Sequence, residues 1–136
     1  MNLPFKDNVF DVVFHFGGIN LFGSIKKSIL EMHRVAKNNG IIRFGDEGVG
    51  SWLRKTEYSD MVINNNALWK KYAPINKIPF HSKNVEVKWI LENCFYLITY
   101  RKNIKFPQIN PHVKHKSPRG GSMYSRYINL VNKKSC

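Results

Sequence analysis

Acidic residues are scarce in this chain of 136 residues. Nine Asp and Glu stand against 22 Lys and Arg, a formal charge of +13. Cysteine is scarcer still. Cys94 and Cys136 lie far apart in the chain and make no disulfide framework, so a reducing compartment is the plain expectation. No run of about 18 apolar residues occurs, so no membrane-spanning helix is expected. The opening residues Met1-Asn2-Leu3-Pro4-Phe5-Lys6-Asp7 carry no apolar stretch of the kind a secretory leader needs. A cytoplasmic protein is expected. His81, His112 and His115 have no Cys or carboxylate at metal-ligand spacing, which predicts no metal site. Patterns for a Ser-His-Asp or Cys-His nucleophile and for a phosphate loop are also missing.

What is present suffices for one folded domain. With 43% apolar and 13% aromatic residues, most of the chain is expected to order. The charge is unevenly spread. Residues 1–104 hold all nine acids and 15 basic residues, whereas residues 105–136 hold seven basic residues and no acid. With Pro107, Pro111, Pro118 and Gly120-Gly121, that last quarter reads as a loose basic tail as far as Tyr127-Ile128-Asn129-Leu130-Val131. Such a tail could contact RNA, DNA or an anionic membrane surface, with Tyr124 and Tyr127 near Arg119 and Arg126 offering stacking faces. A solvated extension without a ligand is the alternative. The expected organisation is therefore a folded part over 1–104 and a tail over 105–136.

The folded part alternates strand and helix. Val9 to Phe16 is a nearly continuous apolar, β-branched and aromatic run, the pattern of a strand buried on both faces of a parallel sheet. Gly17-Gly18 ends it. Ile25, Ile29, Met32 and Val35-Ala36 recur at helical spacing after Ser24, a candidate cap, and Lys37-Asn38-Asn39-Gly40 should stop that helix. A short strand, Ile41-Ile42-Arg43-Phe44, follows and closes in a loop Gly45-Asp46-Glu47-Gly48. This unit predicts a parallel crossover. Ser51 to Tyr72 is expected to hold one or two helices. Asn84–Leu91 then alternates with period two, and Phe95–Tyr100 follows across Glu92-Asn93-Cys94, predicting an antiparallel hairpin at the far edge.

Two segments carry a resemblance. Leu3-Pro4-Phe5-x-Asp7-x-x-Phe10-Asp11-Val12-Val13, followed by Glu31-Met32-x-Arg34-Val35-x-Lys37-x-x-Gly40, resembles the class I S-adenosylmethionine-dependent methyltransferases of the type 11 group over about residues 2–102. The antiparallel last hairpin fits that family. The resemblance implies a methyltransferase that moves a methyl group from S-adenosylmethionine to a small-molecule acceptor. It also implies an α/β, Rossmann-like sheet in the order strand, helix, strand, helix and antiparallel hairpin. The Gly-rich turn and the acidic residues with which the family holds most of the cofactor have no counterpart here. The expected object is therefore a partial sheet lacking the N-terminal cofactor-binding half, inactive by itself. Val9–Phe16 would then be an open apolar edge, available to a protein partner or to self-association. A non-enzymatic partner-binding half-domain is the competing reading.

Ligands of open α/β sheets sit at the carboxyl ends of the strands, which singles out two segments. In His15-Phe16-Gly17-Gly18-Ile19-Asn20, the resemblance implies that His15, Phe16, Gly17 and Gly18 meet the cofactor and that Asn20 faces the acceptor. His15 is also a candidate base, since imidazole titrates near neutrality. The alternatives are a packed strand histidine and a plain glycine turn. In the second segment, the carboxylates of Asp46 and Glu47 could orient an acceptor hydroxyl or amine, or be solvated loop acids. Trp52, Tyr58, Trp69 and Tyr72 could form a lid over the strand ends or pack as helix core. His33, beside Arg34 in mid-helix, is expected at the surface, and Glu31 and Arg34 are expected to pair.

Overall fold

The computed structural model describes residues 2–104. The basic segment 105–136, with Tyr124, Tyr127, His112 and His115, lies outside the described residues. The elements follow the expected order. Strand β1 (Phe10–Phe16) leads through α1 (Ile25–Val35) into β2 (Ala36–Glu47), then α2 (Glu57–Asn65), β3 (Lys83–Ile90) and β4 (Phe95–Arg101). The sheet order is β1-β2-β4-β3, with β1 and β2 parallel and the last hairpin antiparallel to them through β4. Ser51–Leu53, Ala67–Lys70 and Ile75–Lys77 form single 3-10 turns around α2.

Ser24 caps α1, its hydroxyl accepting from the Lys27 N–H at 3.3 Å. The helix stops at Val35, before the expected Lys37–Gly40 stop. The cause lies in the chain ahead of β1. The N–H groups of Asn8 and Val9 take the carbonyls of Arg34 and Val35, at 3.1 and 2.8 Å, so these no longer wait for a helical donor. Lys37–Gly40 instead opens β2 as an irregular stretch. Phe10 lies opposite Ala36, but Val12 lies opposite Ile41, and Asn39 has φ 63°. A Cβ on Gly40 would come 2.8 Å from the Lys37 carbonyl oxygen and 3.1 Å from that of Asp11, so β1 approaches β2 here only past a glycine.

The two halves of the motif touch. Arg34 Nε donates to Glu31 Oε1 at 2.9 Å, and Arg34 Nη1 reaches Asp7 Oδ1 at 2.6 Å. Leu3 N–H donates to Glu31 Oε2 at 2.9 Å, and the Leu3 and Phe5 carbonyls accept from Arg34. Bonding to Arg34 first, then to the Leu3 N–H, draws the Glu31 pKa down to about 2. The Leu-Pro-Phe turn is thereby clamped to α1. Asp11, inside the apolar run, finds a cation in Lys37 at 2.9 Å.

The core lies on one face of the sheet, where Ile42, Phe44, Tyr96, Ile98 and Tyr100 pack beneath Ile29 and Met32 of α1 and Ile19. A smaller cluster of Val49, Val62 and Cys94 sits under α2, with Trp69 and Phe95 against it. The expectation of a first strand buried on both faces is corrected. β1 is an edge, and Val12, Phe14 and Phe16 are 57, 64 and 42% exposed, because α1 covers one face and no strand lies beyond β1 among the described residues. The surface placement of His33 is also corrected. It is buried, stacked on Tyr100 at 6.0 Å and edge-on to His81 at 5.5 Å, because it sits on the α1 face turned toward β4.

Candidate functional site

Both segments picked out at the strand ends come together. Gly17 and Gly18, at φ 77° and 85°, turn the chain sharply after β1. A Cβ at either would meet no atom within 4 Å, so their backbone borders open space. The turn continues as Ile19–Leu21 and folds back over the end of β2. Gly17 N–H donates to the Gly45 carbonyl at 2.9 Å. Asn20 is then fixed at three points. Its backbone N–H donates to Asp46 Oδ2 at 2.6 Å, its Nδ2 to the Glu47 carbonyl at 2.9 Å, and its Oδ1 accepts from the Tyr96 hydroxyl at 3.3 Å.

Asp46 and Glu47 end β2 rather than forming a loop, and solvation does not describe Asp46, which is 0% exposed. Its second oxygen accepts the Glu47 N–H at 2.9 Å. Burial alone would raise its pKa. The hydrogen bonds from the Glu47 carboxyl and from the N–H groups of Asn20, Glu47 and Gly18 outweigh this and hold it below the usual carboxylate range. Glu47, half-buried, is pushed up, first by its hydrogen bond to Asp46 and then by burial. The pair thus divides its roles. Asp46 stays the anion that fastens the turn, and Glu47 holds the proton more readily. With both oxygens engaged and no exposure, Asp46 is closed to a direct acceptor contact.

Phe16 lies across the end of the sheet. Its ring covers Gly45, where a Cβ would come 3.0 Å from the ring, and it stacks on Phe95 at 6.0 Å and 26°. His15 packs on Phe22, centroids 5.3 Å apart, and its Nε2 is buried without a hydrogen-bond partner.

The aromatic segment is mostly packing. Trp69 meets Phe95 edge-on and Trp52 meets Trp89 edge-on. Tyr58 donates to the Glu92 carbonyl at 2.7 Å and lies 2.9 Å from Cys94 Sγ, locking the β3–β4 turn. Tyr72 lies under the Arg54 guanidinium at 3.6 Å. Two contributors went unseen in the sequence, Tyr96 and Gly45. Tyr96 gave one signal: it alternates with Ile98 and Tyr100 on the apolar face of β4, where a buried hydroxyl needs a partner. Among the described residues, no group of three His, Cys, Asp or Glu is placed to hold a metal ion, and no helix is long and apolar enough to cross a membrane.

Comparisons with known proteins bear on the fold. Residues 1–44 match the family model described as a methyltransferase domain. No curated protein matches the chain. Among solved structures, it is similar to a S-adenosylmethionine-dependent methyltransferase of Thermotoga maritima, described as a possible histamine N-methyltransferase. The identity is 16%, the TM-score 0.54, and the match covers 75% of this chain and 60% of that one. It is also similar to the N-methyltransferase NodS of Bradyrhizobium japonicum, at 12% identity and TM-score 0.47, over 72% of this chain and 53% of that one. The four-strand sheet of residues 2–104 shares a mixed α/β, partial Rossmann-like fold with the Thermotoga protein, and the chain spans 60% of the length of that protein.

Proposed function

We propose that the chain is the acceptor-side, C-terminal portion of a class I methyltransferase domain, serving methyl transfer from S-adenosylmethionine to a small-molecule acceptor. The observation that carries this reading is the match of residues 1–44 to the methyltransferase-domain model, over the segment that builds β1, the Gly17–Asn20 turn and α1. In this reading residues 1–104 form the methyltransferase portion and 105–136 a separate basic extension.

The residues present fit one end of the cofactor. Gly17 and Gly18 expose backbone with open space before it, and Phe16 offers a ring face beside them. Bound there, S-adenosylmethionine would supply a methyl group activated by its sulfonium. Methyl transfer asks mainly for alignment and exclusion of water, so the chain's own work is positional. Asp46, through Asn20 and with Tyr96 behind it, keeps the turn in one geometry. Glu47, at the rim of that network, meets the acceptor's hydroxyl or amine. His15, whose Nε2 has no partner, is the proton acceptor of the set. Strands preceding β1 would complete the cofactor pocket, and this chain by itself holds cofactor weakly and turns over little.

Titration of the isotope-labelled chain with S-adenosylhomocysteine, followed by amide NMR, tests the reading. Weak binding with shifts confined to His15–Asn20 and Glu47 is expected. Shifts elsewhere, or none at saturating ligand, would overturn it.

A further inference from the structure

A cavity of about 580 Å³ opens between the second half of α2 and the turn into β4, lined by Met61, Val62, Asn64, Asn65, Trp69 and Cys94. None of these belongs to β1, so the cavity does not depend on what lies beside that edge. Its walls are held from several sides. The Trp69 carbonyl accepts the Val49 N–H at 3.2 Å, and the Cys94 carbonyl accepts the Gly48 N–H at 2.9 Å. Both donors lie in the stretch that directly follows Asp46 and Glu47. The Tyr58 hydroxyl holds the Cys94 thiol from α2 at 2.9 Å. Phe95 meets Trp69 edge-on at 6.2 Å, stacks on Phe16 and lies opposite Glu47 in the β2–β4 ladder. The cavity is thereby joined to the glycine turn through packed rings.

The lining selects a ligand. Lys and Arg outnumber acids by 22 to 9 in the chain, yet no Lys, Arg, His, Asp or Glu lines this cavity. A charged group entering it would give up water without meeting a countercharge, which is costly. Met61, Val62 and the Trp69 ring offer apolar contact. The exposed carboxamides of Asn64 and Asn65 can each donate and accept. Trp69 Nε1 is buried without a hydrogen-bond partner, and such a donor is stabilised by an acceptor brought to it. Apolar walls with a few polar groups, in volumes of about 300–1,000 Å³, are the make-up of small-molecule sites.

We propose that this cavity receives the body of the methyl acceptor, and that the acceptor is a neutral, planar ring compound with a carbonyl or amide edge, its reacting end directed along Phe95 toward Glu47. The inference rests on the acceptor-side reading above and adds the substrate class to it.

Titration of the full chain with naphthamide, naphthoate and naphthylmethylammonium, probes that share a ring system and differ in charge, tests this by NMR. Naphthamide should shift Met61–Asn65, the Trp69 indole N–H and Cys94, and also Phe95 and Glu47, with both charged probes weaker by about tenfold or more. The overall charge of +13 attracts anions at long range, so a preference for naphthamide over naphthoate comes from the cavity itself. Either charged probe binding as tightly as naphthamide would overturn the neutral class. Shifts in α2 that stop short of Phe95 and Glu47 would overturn the acceptor assignment. Met61→Lys, at an exposed position, brings a cation to the cavity and should abolish the naphthamide shifts with an unchanged circular dichroism spectrum. Should that variant fold poorly, Asn64→Lys reads the same wall. S-adenosylhomocysteine reports on the underlying reading separately. Shifts from it at the glycine turn, with none from naphthamide, would overturn the acceptor class alone. Shifts from naphthamide with none from S-adenosylhomocysteine would remove the underlying reading and the acceptor assignment with it.

Discussion

Asn20 gives its backbone N–H to Asp46 Oδ2 at 2.6 Å, so beyond the last backbone bond from Gly17 to Gly45 a buried carboxylate joins the turn after β1 to the end of β2. The second oxygen of the same group accepts the N–H of Glu47 at 2.9 Å. One side chain thus sets two backbone directions, and both lie where the turn meets open space.

Asp46→Asn should therefore be costly despite its equal size. An amide offers one oxygen, and its NH2 would confront an N–H donor that the second carboxylate oxygen now accepts. Leaving a buried donor unmatched costs about 1–3 kcal/mol. Urea unfolding at neutral pH should show the variant less stable than the parent by that amount. Because the folded pKa of Asp46 is held low, its contribution is present above the unfolded carboxylate value and lost as pH falls through the folded one. Glu47, raised, acts with the opposite sign, its contribution being lost as pH rises through its folded value. The gap between parent and Asp46→Asn should narrow in acid. A gap that stayed constant to low pH would refute the role given to this carboxylate.

His33 predicts a second acid effect. Burial first, then the neighbouring Lys102 and His81, lower its pKa from 6.5 to about 4. The unfolded chain therefore binds the proton more readily than the folded one between these values. Stability is complete above 6.5 and is lost progressively as pH falls toward 4. His33→Phe keeps a ring to stack on Tyr100 but cannot titrate. Its urea midpoint should fall less steeply than the parent's over that interval, and parallel curves would rule out this source of acid sensitivity.

The element order, the parallel crossover and the late hairpin were legible because each rests on a local pattern: an apolar run, helical spacing, period-two alternation. The helix end was not. Nothing within Val35–Gly40 says that the carbonyls of Arg34 and Val35 are claimed by Asn8 and Val9, because that closure spans the whole β1–α1 unit. The apolar run over Val9–Phe16 was read correctly as a strand and as an open edge, whereas burial of both its faces was not met, since hydrophobicity records what a strand suits and not what lies beside it. At the site, Gly17-Gly18 and Asp46-Glu47 were visible as residue types. Their union through Asn20 and Tyr96 was not, because Tyr96 reaches the turn from a strand far along the chain.

Gly45 tests the fit between those strands. A Cβ there would press into the Tyr96 carbonyl oxygen and stand 3.0 Å from the Phe16 ring. The first is backbone in a paired strand and cannot move aside cheaply. Overpacking of this kind costs about 1–3 kcal/mol. Gly45→Ala should lower the thermal midpoint clearly, and the Phe16–Phe95 stack should loosen, visible as changed ring-current shifts. An unchanged midpoint would show that the sheet end yields more easily than its geometry implies.

Lys102 supplies the last test, because it is a buried cation held by oxygens alone. Its Nζ donates to Asn8 Oδ1 at 2.9 Å, the Arg34 carbonyl at 3.2 Å and the Ala36 carbonyl at 2.8 Å. It thereby joins the turn before β1, the C-terminus of α1 and the end of β4, with its charge at the helix end that favours a cation. Burial lowers its pKa. Lys102→Met keeps the aliphatic stem and removes the donors, so Asn8 Oδ1 and the Ala36 carbonyl each lose one, while the Arg34 carbonyl keeps the Asn8 N–H; a buried acceptor left unmatched costs about 1–3 kcal/mol. Hydrogen exchange should then speed up in the last turn of α1 and at Asn8–Val9 while the β3–β4 ladder stays protected. Uniform acceleration would show that Lys102 supports the fold as a whole, and no change would show that water replaces it without loss.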